Sequence, residues 1–169
     1  MIQRLRALFF ASRIRLDKVH MHNYGVQMTS TESYMDCNCF AIRQAARYVS
    51  QLYERHVSRA GITAAQFTIL VAIGRKPGVT MAELADAMVM DRTTLVRALK
   101  PLQRDGRVAS TQQDAGTRAV ALRLTDAGKK TRTEAAAYWR DAQNEFEEKF
   151  GHERSSELRK SLFDITSTV

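Results

Sequence analysis

The chain has 169 residues, 44% of them hydrophobic and 26% charged, the size and composition of one ordinary domain that buries a core without metals or disulfide staples. Its formal net charge is +8, so part of its surface attracts phosphate, acidic protein or anionic lipid. Residues 91–124 carry seven Lys/Arg against three acids and residues 125–169 eight against nine, so the excess follows the middle and the N-terminal third.

Met1 to about Ser33 is rich in Arg and poor in acids, with one apolar knot at Leu8, Phe9 and Phe10. That knot lies far below the roughly 18–20 residues of a membrane span, and no signal-peptide pattern follows it. Residues 1–34 are read as a basic extension: either flexible, with Met28 or Met35 as alternative starts, or an arm that touches DNA or a partner subunit. Cys37 and Cys39 stand one residue apart, poor geometry for a bridge, which points to a soluble chain in a reducing, cytoplasmic compartment.

From residue 35 a single domain is expected. Cys39, Ile42, Ala46, Val49, Tyr53 and Val57 recur at helical spacing, with Arg43, Arg47, Gln51 and Arg55 opposite. Gly61 breaks the pattern, and Thr63 then caps a helix over Ala64–Gly74 whose Phe67, Leu70, Val71 and Ile73 form a buried stripe. After the turn Lys76-Pro77-Gly78, Thr80 and Glu83 have capping-box spacing and open a short helix with Met81, Leu84, Ala85 and Met88. Asp91 caps the next helix, which runs to about Arg104 and is stopped by Gly106; Pro101 should kink its last turn. Arg107–Thr111 and Val120–Leu124 read as two strands of a hairpin with Gly116 in the connection. Thr125 caps a long helix with the stripe Ala135, Tyr138, Trp139, Ala142, Phe146 and Phe150; Gly151 ends it, and a last helix covers about Glu153–Ile165.

This order, mainly α with a small β-hairpin wing, is a winged helix-turn-helix over about 61–124, flanked by dimerisation helices at about 37–58 and 125–169. The helix after Asp91 suits the major groove of double-stranded DNA: Arg92, Thr93, Thr94 and Arg97 are short donors and long arginines near its N-terminus, Lys100 follows one turn on, and Leu95 and Leu99 face inward. An ordinary amphipathic helix would share the periodicity; the capped helix before it and the basic hairpin after it favour the DNA reading. The long stripes on 39–57 and 135–165 exceed what one small lobe covers, so a homodimer reading a pseudo-palindromic operator is expected. No diagnostic phosphate loop, nucleophile elbow or carboxylate pair supports an enzyme. His20, His22, Cys37, Cys39 and His56 match no closed zinc spacing, and no cofactor is expected.

Thr80–Val108, T-M-A-E-L-A-D-A-M-V-M-D-R-T-T-L-V-R-A-L-K-P-L-Q-R-D-G-R-V, closely resembles the helix-turn-helix of the MarR (multiple antibiotic resistance regulator) family. Gly61–Leu70 and Leu122–Gly128 resemble its flanking segments. The resemblance implies a dimeric transcriptional regulator, a repressor released by a small ligand, with Thr93, Thr94 and Arg97 on the recognition helix and Arg118 on the wing. Family wings place an aspartate two residues before that arginine; here Gly116 occupies the position and Asp114 lies two residues earlier. The resemblance also implies a site for a small aromatic or phenolic ligand between the dimer helices and the DNA-binding lobe, with Phe40, Arg43, Arg47, Phe67 and Ile69 as candidate lining. Cys39-Phe40-Ala41 resembles the reactive-cysteine position of the family's organic hydroperoxide regulators, at a helix N-terminus where the dipole favours thiolate. Tyr53 stands where those proteins keep a tyrosine, whereas Arg43 replaces a second one. Cys39 is therefore either a redox sensor or a small hydrophobe of the interface.

Overall fold

The computed structural model describes residues 33–112 and 120–167. The chain divides into two units, 1–37 and 38–169. In the described part of the first, Tyr34–Asp36 make one 3-10 turn, with the Ser33 hydroxyl accepting from the Met35 N–H at 3.1 Å.

The second unit starts with helix α1, Asn38–Val57. Its C-terminal part buries Leu52 and Val57, while Cys39, Ile42 and Ala46 of the expected stripe are exposed. Leu52 is a core contact that the periodic reading passed over. Helix α2, Ala64–Arg75, begins at a reciprocal cap: Thr63 Oγ1 accepts from the Gln66 N–H and Gln66 Oε1 from the Thr63 N–H. Two of the orphan donors of the first turn are thereby satisfied. Phe67, Ile69, Leu70 and Ile73 turn inward from it.

Strand β1, Val79–Thr80, was not expected from the sequence; at two residues it is too short to leave a pattern. It pairs antiparallel with β3, Val120–Leu124, which also pairs with β2, Val108–Gln112, giving a three-stranded sheet of order β1-β3-β2. Thr80 also caps helix α3, Met81–Ala87, through the anticipated box with Glu83. Helix α4, Arg92–Arg104, starts at Asp91, whose Oδ1 accepts from the Thr94 N–H at 2.9 Å, and runs through Pro101.

α3 and α4 end alike. Met90 N–H donates to Ala85 carbonyl and Val89 N–H to Asp86 carbonyl, just as Arg107 and Gly106 donate to Leu102 and Gln103. Both are Schellman ends, which place one residue in the left-handed region. At the second it is Gly106, φ 67°; at the first it is Val89, φ 50°, a β-branched residue where that conformation is strained.

Val57, Phe67, Ile69, Leu70, Ile73, Leu84, Leu95, Leu99, Leu102, Val108 and Leu122 form one core, joined by Ala135 of helix α5, Asp126–Phe150. Thr125 links this lobe to α5. Its hydroxyl donates to Gly106 carbonyl at 2.6 Å and accepts from the Gly128 N–H at 3.0 Å, capping the helix. α5 packs along α1, where Glu145 pairs with Arg55 at 2.9 Å and His56 at 2.7 Å. Gly151 ends α5, and helix α6, His152–Ser167, follows. No single helix among the described residues is long and apolar enough to cross a membrane.

Candidate nucleic-acid interface

α4 presents two chemically opposite faces. Leu95, Leu99 and Leu102 have no exposed surface, while Arg92, Thr93, Val96, Arg97 and Lys100 are exposed. The 3.6-residue period produces this split, because the leucines stand four and three apart. Among the described residues, Arg92, Arg97 and Lys100 have no carboxylate within 4.0 Å, whereas Arg104, at the far end of the same helix, pairs with Asp105 at 3.0 Å. The three cations nearest the N-terminal half therefore keep their donors for an outside acceptor.

Thr94 differs from its neighbours. Its hydroxyl donates to Asp91 Oδ2 at 2.6 Å, so its proton serves the cap and only its lone pairs face outward. That hydrogen bond, with the one from the Thr94 backbone, holds the Asp91 carboxyl below its ordinary range, and the cap stays ionised near neutral pH. Val96 was missing from the sequence reading. It stands between Thr93 and Arg97 on the exposed face, and the signal was its i+3 spacing from Thr93.

The hairpin root meets α4 directly: Gln103 Nε2 donates to Ser110 Oγ at 2.7 Å. Arg92, Thr80, Met81, Ser110 and Val120 line a cleft of about 320 Å³ between the short helix, α4 and the sheet, which joins Arg92 to the wing strands. Arg118, Asp114 and Gly116 lie outside the described residues.

A second cavity, about 380 Å³, opens between α1, α2 and α5, with Tyr53, Glu54, Val57, Phe67, Thr68 and Trp139 in its wall. The Phe67 and Trp139 rings stand 6.4 Å apart at 35°. Glu54 accepts from the Ala64 N–H at 2.8 Å, and Tyr53 donates to Gln143 Oε1 at 2.5 Å. Burial, helped by the negative charge of Glu147, pushes the Tyr53 hydroxyl above its ordinary range, so it remains a neutral donor.

Of the five residues expected around a ligand, only Phe67 lines this cavity. Ile69 is fully buried in the core, Phe40 is half-buried, and Arg43 and Arg47 are exposed on α1. The cavity lies farther along α1, at residues 49–57, the part of the helix that is packed; residues 41–48 are exposed. Cys39 is exposed in the first turn of α1, and neither it nor Cys37 is in a disulfide. No group of three or more His, Cys, Asp or Glu that could hold a metal occurs among the described residues.

A profile described as the MarR family matches residues 60–119, the segment with α2, α3, α4 and β2. The Mycobacterium tuberculosis transcriptional regulator MosR, solved in complex with DNA, is 32% identical; the alignment covers 79% of this chain and 96% of MosR, with a TM-score of 0.69. CouR from Rhodococcus jostii RHA1, solved bound to p-coumaroyl-CoA, shares the fold at 20% identity, with a TM-score of 0.68 over 80% of this chain and 96% of CouR. The regulator TtmR of Methylorubrum extorquens is 28% identical over 91 residues, 54% of this chain, a match that spans about half of TtmR (47%). A profile centred on the helix-turn-helix, together with a 32%-identical regulator covered almost end to end, establishes that the chain belongs to the MarR family of transcriptional regulators.

Proposed function

We propose that the chain is a sequence-specific double-stranded DNA-binding regulator rather than an enzyme, acting in the cytoplasm as a homodimeric repressor released by a small ligand. The observation that carries this reading is the exposed face of α4: three cations without carboxylate partners, one free threonine hydroxyl and one valine on a helix whose other face is core. Arg92, Arg97 and Lys100 supply bidentate or phosphate contacts, Thr93 and the lone pairs of Thr94 short polar ones, and Val96 an apolar surface for a thymine methyl. Arg118 is assigned to the wing by family resemblance.

Dimerisation is supported by the first half of α1 and by α6, where Ile42, Phe163 and Ile165 are 44%, 65% and 55% exposed. Ligand control is supported by the cavity between α1, α2 and α5, whose aromatic walls and convergent Tyr53 hydroxyl suit a flat organic molecule. The test selects binding sites from random duplexes and compares the parent with Arg97→Ala. A pseudo-palindrome is expected, with the variant weaker by roughly 1–3 kcal/mol per half-site and less selective at one base pair. No enriched duplex, or equal binding by the variant, would overturn the assignment.

A redox signal is the second reading, favoured by the exposure of Cys39 in the first turn of α1. Organic hydroperoxide oxidises a thiolate to a sulfenic acid and is itself reduced to the alcohol. Treated wild type should then lose operator affinity and Cys39→Ser should keep it; unchanged wild type leaves the diffusible ligand.

A further inference from the structure

A cavity on the lobe is left unused by the reading above. The C-terminal end of α2, the turn after it, the end of β3 and the first turns of α5 enclose about 340 Å³. Its floor is apolar, made by Pro77 and Leu124 over the fully buried Ile73, and its rim is cationic, made by Arg123, Lys129 and Arg132.

The three cations come from two elements, and Lys129 and Arg132 share one face of α5 at i,i+3 spacing. Lys129 has a surface partner, Asp126 at 2.9 Å. Among the described residues, Arg123 and Arg132 have no carboxylate within 4.0 Å. Arg132 is partly buried, and its seat is built for it. A Cβ at residue 74 would overlap its Nη1, so Gly74 is what lets the guanidinium lie against α2. A guanidinium that has lost part of its water and gained no anion is electrostatically unfavourable, and convergent like charges add to that. An oxyanion entering the cavity removes both penalties, and arginine's planar fork pairs it bidentately.

We propose that this cavity is a second ligand site, one that takes a small organic phosphate monoester, with the phosphate on Arg123, Lys129 and Arg132 and the organic body on the apolar floor. Its volume falls within the range of roughly 300–1,000 Å³ of small-molecule sites. A nucleic-acid backbone is the weaker occupant. None of the walls belongs to α4, and a concave, apolar-floored recess does not match a phosphate backbone, which meets protruding side chains. Ligand binding here does not rest on the DNA-binding reading, so the two fail separately.

The test titrates the full chain with phenyl phosphate and with inorganic phosphate, against sodium chloride at matched ionic strength, by calorimetry and amide NMR. One saturable site per chain is expected for phenyl phosphate, with shifts at Gly74, Arg123 and Arg132. Phenyl phosphate should bind more tightly than inorganic phosphate. Arg123→Gln with Arg132→Gln should weaken binding by about tenfold or more, the scale of losing charge-assisted bidentate contacts. Gly74→Ala changes no charge and favours helix, yet should weaken binding measurably, by a smaller factor than the double variant, because it displaces the Arg132 guanidinium from α2; this keeps the test decisive if the double variant folds poorly. No saturation beyond the salt control, shifts elsewhere, equal affinity for inorganic phosphate, or undiminished binding by Gly74→Ala would each overturn the proposal. So would a double variant that loses duplex affinity, with a flatter salt slope, in a protein that ignores phenyl phosphate; the cations would then belong to DNA.

Discussion

The lobe from α2 to β3 and the arms formed by the first half of α1 and by α6 use similar apolar residues with opposite outcomes. Leu95, Leu99, Leu102 and Leu122 of the lobe have no exposed surface, whereas Ile42 on α1 and Leu162 and Phe163 on α6 stand open in the single chain. Helical spacing creates an apolar face in both regions, but among the described residues the lobe's face is covered and that of the arms is not. Among the described residues the lobe therefore closes its own core, whereas the arms leave apolar faces open, the surfaces assigned above to the proposed dimer.

Cutting into the lobe should have the largest effect on stability. Leu99→Ala removes a fully buried side chain from between α4 and the sheet and should cost about 2–5 kcal/mol in denaturant unfolding. A loss under about 1 kcal/mol would mean that the lobe is less tightly built than its burial indicates. Leu162→Asp with Phe163→Asp sharpens the contrast from the other side. In the proposed dimer the pair should shift sedimentation to monomer at micromolar concentration, because two carboxylates would be buried without partners, while the lobe's fold is retained. An unchanged dimer would place the interface elsewhere.

At the junction, Thr125→Ala removes both the α5 cap and the bond to Gly106 carbonyl, and should cost about 1 kcal/mol, within a range of about 0.5–2, by thermal unfolding. The smallest effect has the opposite sign. Val89→Gly relieves about 1–2 kcal/mol of left-handed strain against a glycine entropy penalty of roughly 0.5–1, for a net gain between zero and about 1.5 kcal/mol. A destabilised glycine variant would show that Val89 is held by contacts rather than merely tolerated.

The caps were the most legible part of the fold. Thr63, Thr80, Asp91 and Thr125 each accept from an N–H in the first turn of their helix, since a short oxygen side chain before a periodic run has one local task. Local chemistry did not reveal β1, whose two residues form a strand only because β3 passes beside them. Nor did it reveal Val89, where the turn between α3 and α4 imposes a glycine-like conformation on a residue that advertises the reverse. The exposed cationic face of α4 was readable because one helix carries it. Of the α1–α2–α5 cavity the sequence reading held only Phe67, and it did not contain the Arg123–Lys129–Arg132 rim, because both are assembled from segments far apart in the chain.

α5 begins on the lobe, hydrogen-bonded through Thr125 to the end of the α4 unit, and continues unbroken for 25 residues to Phe150. At 1.5 Å per residue it is about 37 Å long. In the proposed dimer, held at the arms, such a rod would act as a lever: a tilt of about 5° there would displace the far end by about 3 Å, close to the rise of one base pair. In a two-fold dimer the displacement doubles between half-sites. A ligand wedged beside Trp139 would need to turn this lever only slightly to put the two α4 helices out of step with the groove.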